Sequence, residues 1–212
     1  MFVQAEKGKG HSVIYHRNDG AKLIRRGGTP AWRNSNPGNM RSYEFAKENG
    51  SIGTADGFAI FPDFETGRRA LARLLRGKKY RNLSVFDAVA TYAPPEDKND
   101  VANYRKILRQ FTYLDLSRRF MSLTTKEFQI VLDAIQRIEG WKQGTEELIP
   151  SARITTVRKN NKGVIVAYQV EKILDSFPQL DRSPDKSQLP LVPSYSRGNG
   201  ALLNLRTADR RT

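Results

Sequence analysis

Residues Thr124–Trp141 read Thr-Thr-Lys-Glu-Phe-Gln-Ile-Val-Leu-Asp-Ala-Ile-Gln-Arg-Ile-Glu-Gly-Trp and specify a helix at both ends and along its length. Thr124 with Glu127 forms a capping box, in which two side chains satisfy backbone N–H groups that the first turn leaves open. Leu123 and Phe128 sit where a hydrophobic staple belongs. Phe128, Val131, Leu132, Ile135 and Ile138 recur at the step of one helical face, and Gly140 is a natural C-terminal stop. Glu139 breaks this pattern. Its spacing from Ile135 and Leu132 puts a carboxyl on the apolar stripe rather than the wet face. The helix C-terminus and partial burial both disfavour negative charge there, which predicts a carboxyl that keeps its proton at neutral pH, as a general acid must. The competing reading has Glu139 past a fraying end, turned to water or paired with a neighbouring arginine.

Three more helices are predicted upstream. Asp63 caps one that carries Leu71, Leu74 and Leu75 and stops at Gly77; Ser84 with Asp87 starts one with Val85, Val89 and Tyr92, ended by Pro94-Pro95. Asn99 or Asp100 starts the third, with Val101, Tyr104, Leu108 and Phe111 on one face. Before them, His11–His16 and Ala21–Arg25 flank an Asp19-Gly20 turn and read as a β-hairpin, closed by Gly27-Gly28. The Gly- and Asn-rich segment Thr29–Gly57 is expected to be loop and short strand, and Phe58–Phe61 a buried strand. Downstream, Ile154–Val157 and Val164–Val170 around the turn Asn160–Gly163 predict a second hairpin, packed on the helical body. Pro178–Thr212, rich in Pro, Ser, Gly and Arg, reads as an extended tail. The expected organisation is therefore a hairpin at 1–28, a main domain at 29–148, a hairpin appendage at 149–177 and a tail at 178–212.

The chain has 212 residues, of which 38% are hydrophobic, enough for one sizeable core. The absence of cysteine excludes disulfides, thiolate zinc sites and every cysteine nucleophile. No apolar run approaches the ~20 residues of a membrane span, and Met1–Gly10 lacks the apolar stretch of a secretory signal. Synthesis in the cytoplasm is expected, and work outside it would need another delivery route. Lys+Arg 36 against Asp+Glu 22 gives a net charge of +14, with acids interspersed along the chain. Such a field favours polyanionic partners, namely nucleic acid, anionic lipid or the acidic polymer of a bacterial wall.

Most catalytic classes fail on residue type or spacing. His11 and His16 lie on opposite faces of their strand and make a poor metal pair. No Gly-x-Ser-x-Gly elbow and no phosphate-binding loop occurs. Carboxylate chemistry remains. The other notable cluster is Arg33-Asn34-Ser35-Asn36-Pro37-Gly38-Asn39-Met40, preceded by Trp32. Asn and Gly accept left-handed backbone, so a tight turn explains it; alternatively, its amides and the indole suit sugar and N-acetyl groups.

The stretch Gly27–Met40, the block from Gly50-Ser51-Ile52-Gly53 to Asp63, and Tyr92-Ala93-Pro94-Pro95 resemble a bacterial and phage family bearing the signature Arg-Asn-x-Asn-Pro-Gly-Asn. Members of that family look like peptidoglycan-cleaving enzymes of phage particles or type VI secretion effectors, and the match covers about Gly10 to Gly144. Ala134–Trp141 is also similar to the helix end that carries the catalytic Glu in the glucosaminidase-like branch of the lysozyme superfamily. Because the elements come in a different order, that similarity implies circular permutation.

The resemblance implies an α+β fold class: a mainly helical lysozyme-like domain with a small β-lobe, plus short β-hairpins at both ends. It implies a muramidase or lytic transglycosylase acting on peptidoglycan in the periplasm or wall of a target cell, or residing in a phage particle. Its partners would be a cognate immunity protein or virion and secretion components. No cofactor and no metal is expected. Glu139 would be the acid, with Asp56, Glu48 or Glu44 on the opposite wall, and Trp32, Arg33, Asn34, Asn36, Asn39, Tyr92 and Trp141 would contact substrate. Two alternatives stand. One is a non-enzymatic basic virion or packaging protein that binds nucleic acid, supported by the charge and the Arg-rich end Arg206–Thr212; the other is a secreted effector with a different target.

Overall fold

The computed structural model describes residues 1–173. Strands β1 (Phe2–Lys7), β2 (Ser12–Arg17) and β3 (Lys22–Arg26) lead into two short helices, α1 (Pro30–Arg33) and α2 (Glu44–Glu48). A tight hairpin of β4 (Gly53–Ala55) and β5 (Phe58–Ile60) follows, then helices α3 (Phe64–Arg76), α4 (Val85–Tyr92), α5 (Val101–Thr112) and α6 (Thr125–Glu139). The chain returns to strand in β6 (Thr145–Ile149) and a separate hairpin of β7 (Ser151–Lys159) and β8 (Ile165–Ile173).

The four longer helices start where the sequence places their caps. Asp63, Ser84, Asp100 and Thr124 each accept a hydrogen bond from a first-turn backbone N–H, and Thr124 with Glu127 completes the capping box. Helix α3 meets Gly77 and α6 meets Gly140 at the C-terminus. Their apolar faces form the main core, with Leu71, Leu75, Val85, Leu108, Leu132 and Ile135 buried together. A smaller core of Phe2, Ala5, Val13, Tyr15, Leu23, Ala55 and Ile60 lies on the sheet.

The expected fold class is corrected. The described residues form a mixed α/β fold with a six-stranded sheet and six helices, and the mainly helical lysozyme-like domain is not what they form. The sheet runs in the order β5-β4-β1-β2-β3-β6. Long-range pairings cause the difference. Strand β1 pairs parallel with β4 through Ala5 and Gly53, so the N-terminal hairpin and the expected small lobe are one sheet. On the other side β3 pairs antiparallel with β6, from Lys22↔Ile149 to Arg26↔Thr145. The segment expected to lack helix contains α1 and α2, of four and five residues. In the second hairpin the described apolar side chains Val157, Val164 and Ile165 are exposed, so they do not make the expected packing on the helices. The expected tail, 178–212, lies outside the described residues. Among the described residues no helix is long and apolar enough to cross a membrane.

Candidate active site

Between the sheet and the helices, residues 31–40 run wholly buried, an unusual place for so many amides. Ser35 and Asn39 take left-handed backbone, with φ of 49° and 45°. Asn36 staples the turn. Its Nδ2 donates to the Met40 and Ala59 carbonyls at 2.9 and 3.0 Å, and its Oδ1 accepts from Met40 N at 2.9 Å. The Tyr92 hydroxyl donates to the Gly38 carbonyl, and a Cβ at Gly38 would lie 2.5 Å from that hydroxyl. Trp32 lies beneath the Arg25 guanidinium, 4.9 Å from its ring centre, while Arg25 Nη1 donates to Trp32 O at 2.7 Å and to Ser35 Oγ at 2.9 Å. Trp32, Asn36 and Tyr92 therefore knot the loop together. They offer a sugar no open face, because packing and internal hydrogen bonds already engage them.

Asn39 is the member of the loop that reaches the expected acid. Its Nδ2 donates to Glu139 Oε2 and to the Glu139 backbone carbonyl, each at 3.2 Å. From α5 the Tyr104 hydroxyl donates to Glu139 Oε1 at 3.2 Å. Glu139 itself is 2% exposed. Trp141, just beyond, is half-buried and stands edge-on to Phe64 at 5.0 Å.

A cleft of about 520 Å³ opens at the other end of the loop, lined among others by Lys7, His11, Gly28, Arg33, Asn34 and Asp56. Asp56 and Gly57 both have positive φ, 51° and 81°, and form the two-residue turn that brings β4 back as β5. That turn places the Asp56 carboxylate on the cleft wall, ion-paired with Lys7. Arg33 is buried, and its Nη1 donates to the carbonyls of Gly27 and Gly28 at 2.9 and 2.8 Å. Burial pushes the Arg33 guanidinium below its usual range, and the charge of Asp56 pulls it back up. The rim is tied to the end of α6: Thr29 N donates to the Lys142 carbonyl at 2.9 Å, and Lys142 N to Thr29 Oγ1 at 3.0 Å.

Of the residues expected to act, the structure thus gathers Glu139 with Asn39, and separately Asp56 with Arg33 and Asn34 in the cleft, whose lining does not include Glu139. Glu48 and Glu44 do not join either group. Both are exposed on α2, where Glu44 pairs with Lys47. In sequence Tyr104 reads as part of an apolar stripe, although a hydroxyl on such a stripe needs a partner and so signals one. Lys7 gave no signal in sequence. Among the described residues no cluster of three or more His, Asp or Glu side chains is gathered to hold a metal. Searches against protein-family models, curated proteins and solved structures find no match to this chain.

Proposed function

We propose that this chain cleaves the glycan strand of peptidoglycan, with Glu139 as the proton donor. The observation that carries the reading is a carboxyl, 2% exposed at the end of α6, aimed by Asn39 from the signature loop and by Tyr104 from α5. Burying a carboxyl is costly, and an apolar side chain would stabilise the same helix end at no such cost, so its presence favours a chemical role. In glycoside cleavage such an acid protonates the leaving oxygen while positive charge develops on the sugar. Asp56, on the wall of the cleft at the other end of the loop, is the second carboxylate that this reading offers for stabilising that charge or directing water. Proton transfer requires Asn39 or Tyr104 to release an oxygen of Glu139 as the strand docks. The Arg33–Asn39 signature also supports delivery in a phage particle or through a type VI secretion apparatus.

The test is the purified chain on insoluble peptidoglycan, with mass analysis of what is released. The expected result is clearing by the native protein, none by Glu139→Gln, and nearly equal thermal midpoints for the two. An inert native protein, or a fully active Glu139→Gln, overturns the reading. Reducing ends identify a hydrolase and anhydro ends a lytic transglycosylase. Salt-sensitive DNA retention without clearing would favour the basic nucleic-acid-binding alternative.

A further inference from the structure

The cleft beside Arg33 has a chemistry of its own. We infer that it binds a carboxylate-bearing peptide, the stem-peptide arm of the wall polymer, with Arg33 gripping the carboxylate. This rests on the proposed activity for the identity of the polymer, but not for the chemistry of the cleft.

Arg33 is 7% exposed and lines the cleft. Only its Nη1 is engaged, on the Gly27 and Gly28 carbonyls. The Nε–Nη2 edge has no acceptor among the described residues. A nearly buried guanidinium that lacks a carboxylate in hydrogen-bond reach is expensive to maintain, and its free edge presents two parallel N–H groups at the spacing of a carboxylate. Asp56 is in the same cleft but is ion-paired with Lys7. Asn34 is 2% exposed, lines the same wall, and its side-chain amide has no partner among the described residues. An amide with a free donor and a free acceptor is what a peptide bond satisfies.

Charge narrows the ligand further. With Asp56 paired to Lys7, Arg33 is the one uncompensated charge among the residues lining the cleft, which suits a monoanion such as a carboxylate better than a dianion such as phosphate. At about 520 Å³ the cleft falls within the ~300–1,000 Å³ typical of small-ligand sites, room for a short peptide. In the peptide-substituted strand the glycan backbone itself offers no such carboxylate, because its lactyl carboxyls are amide-bonded to the peptides. The stem peptides of peptidoglycan carry free carboxylates and an amino group.

The experiment is calorimetric titration of the full chain with a synthetic stem tetrapeptide, its C-terminally amidated counterpart, and inorganic phosphate. The free acid is expected to bind, the amide about tenfold or more weaker, and phosphate weaker than the free acid. Arg33→Lys keeps the charge and loses the edge, so about a tenfold loss is expected. Because Arg33 also ties down Gly27 and Gly28, Asn34→Ala serves as a second variant and should weaken the peptide without lowering the thermal midpoint. Equal binding of acid and amide, absence of peptide binding, or preference for phosphate would overturn the inference. Wall clearing without peptide binding removes this inference and leaves the proposed activity standing. Peptide binding by a native protein that clears nothing does the reverse.

Discussion

At Asn39 one side chain joins the signature loop to the end of α6, since its Nδ2 reaches both the backbone and the carboxyl oxygen of Glu139. Asn39→Ala removes both donations to Glu139 and puts alanine at a φ of 45°. Each change destabilises, and together they should cost about 2–4 kcal/mol by denaturant titration. Tyr104→Phe removes one hydroxyl from the same carboxyl and should cost about 1–2 kcal/mol. Glu139→Gln keeps the shape and one acceptor, so a change within about 1 kcal/mol is expected; a much larger loss would mark Glu139 as a structural residue. That glutamate was legible because helical periodicity is local: its place on a stripe follows from the neighbouring turns alone. The donors that hold it were not, because Asn39 and Tyr104 lie 100 and 35 residues away in sequence. Trp32 and Asn36 show the opposite failure. Their composition suits a sugar, yet tertiary packing turned them inward.

Helix α6 begins at an electrostatic cluster as well as a cap. Arg118 hydrogen-bonds Glu127, and the backbone N–H and hydroxyl of Thr124 add to it; together they hold the Glu127 carboxyl at about 2 against an ordinary 4.5. A depressed value means the stabilisation is fully present above about 4.5 and is lost as pH falls through about 2. The thermal midpoint of the native chain should therefore exceed that of Glu127→Gln at neutral pH. Calorimetry at a series of pH values should show the gap closing across that acid window. A gap that stays constant to pH 2 would mean that the carboxylate is not what anchors the helix start. Caps of this kind explain why the four longer helices could be read from sequence, each from residues within one turn of its end. The sheet could not be read that way. Strand β6 is Thr-Glu-Glu-Leu-Ile, exposed along its whole length and without alternation, and only β3, far back in the chain, makes it a strand. Helices α1 and α2 span about one turn each, too short to show a period.

Across the whole molecule the net charge of +14 is spread along the sequence, but the fold concentrates part of it. Arg69, Arg73 and Arg76 are exposed at helical spacing on α3, and the chain leaves that helix through exposed Lys78, Lys79 and Arg81. Among the described residues none of these three arginines has a carboxylate partner: Arg69 bonds Thr66, Arg73 bonds Asn49, and Arg76 bonds the Leu123 carbonyl. The result is a cationic surface along α3 and its exit, suited to hold an anionic polymer loosely and distinct from the guanidinium in the cleft. Screening distinguishes the two. The Debye length falls from ~10 Å at 0.1 M salt to ~3 Å at 1 M, so exposed charges weaken far more than a buried guanidinium in a cleft. Cosedimentation with insoluble peptidoglycan should therefore decline steeply with added salt. Replacing Arg69, Arg73 and Lys78 by glutamine should weaken retention at low salt and flatten that slope, with stability changed by no more than about 0.5 kcal/mol. Titration of the stem tetrapeptide into the same triple variant should match the native chain. Retention that ignores both salt and the substitutions would mean that contacts other than this stripe hold the wall.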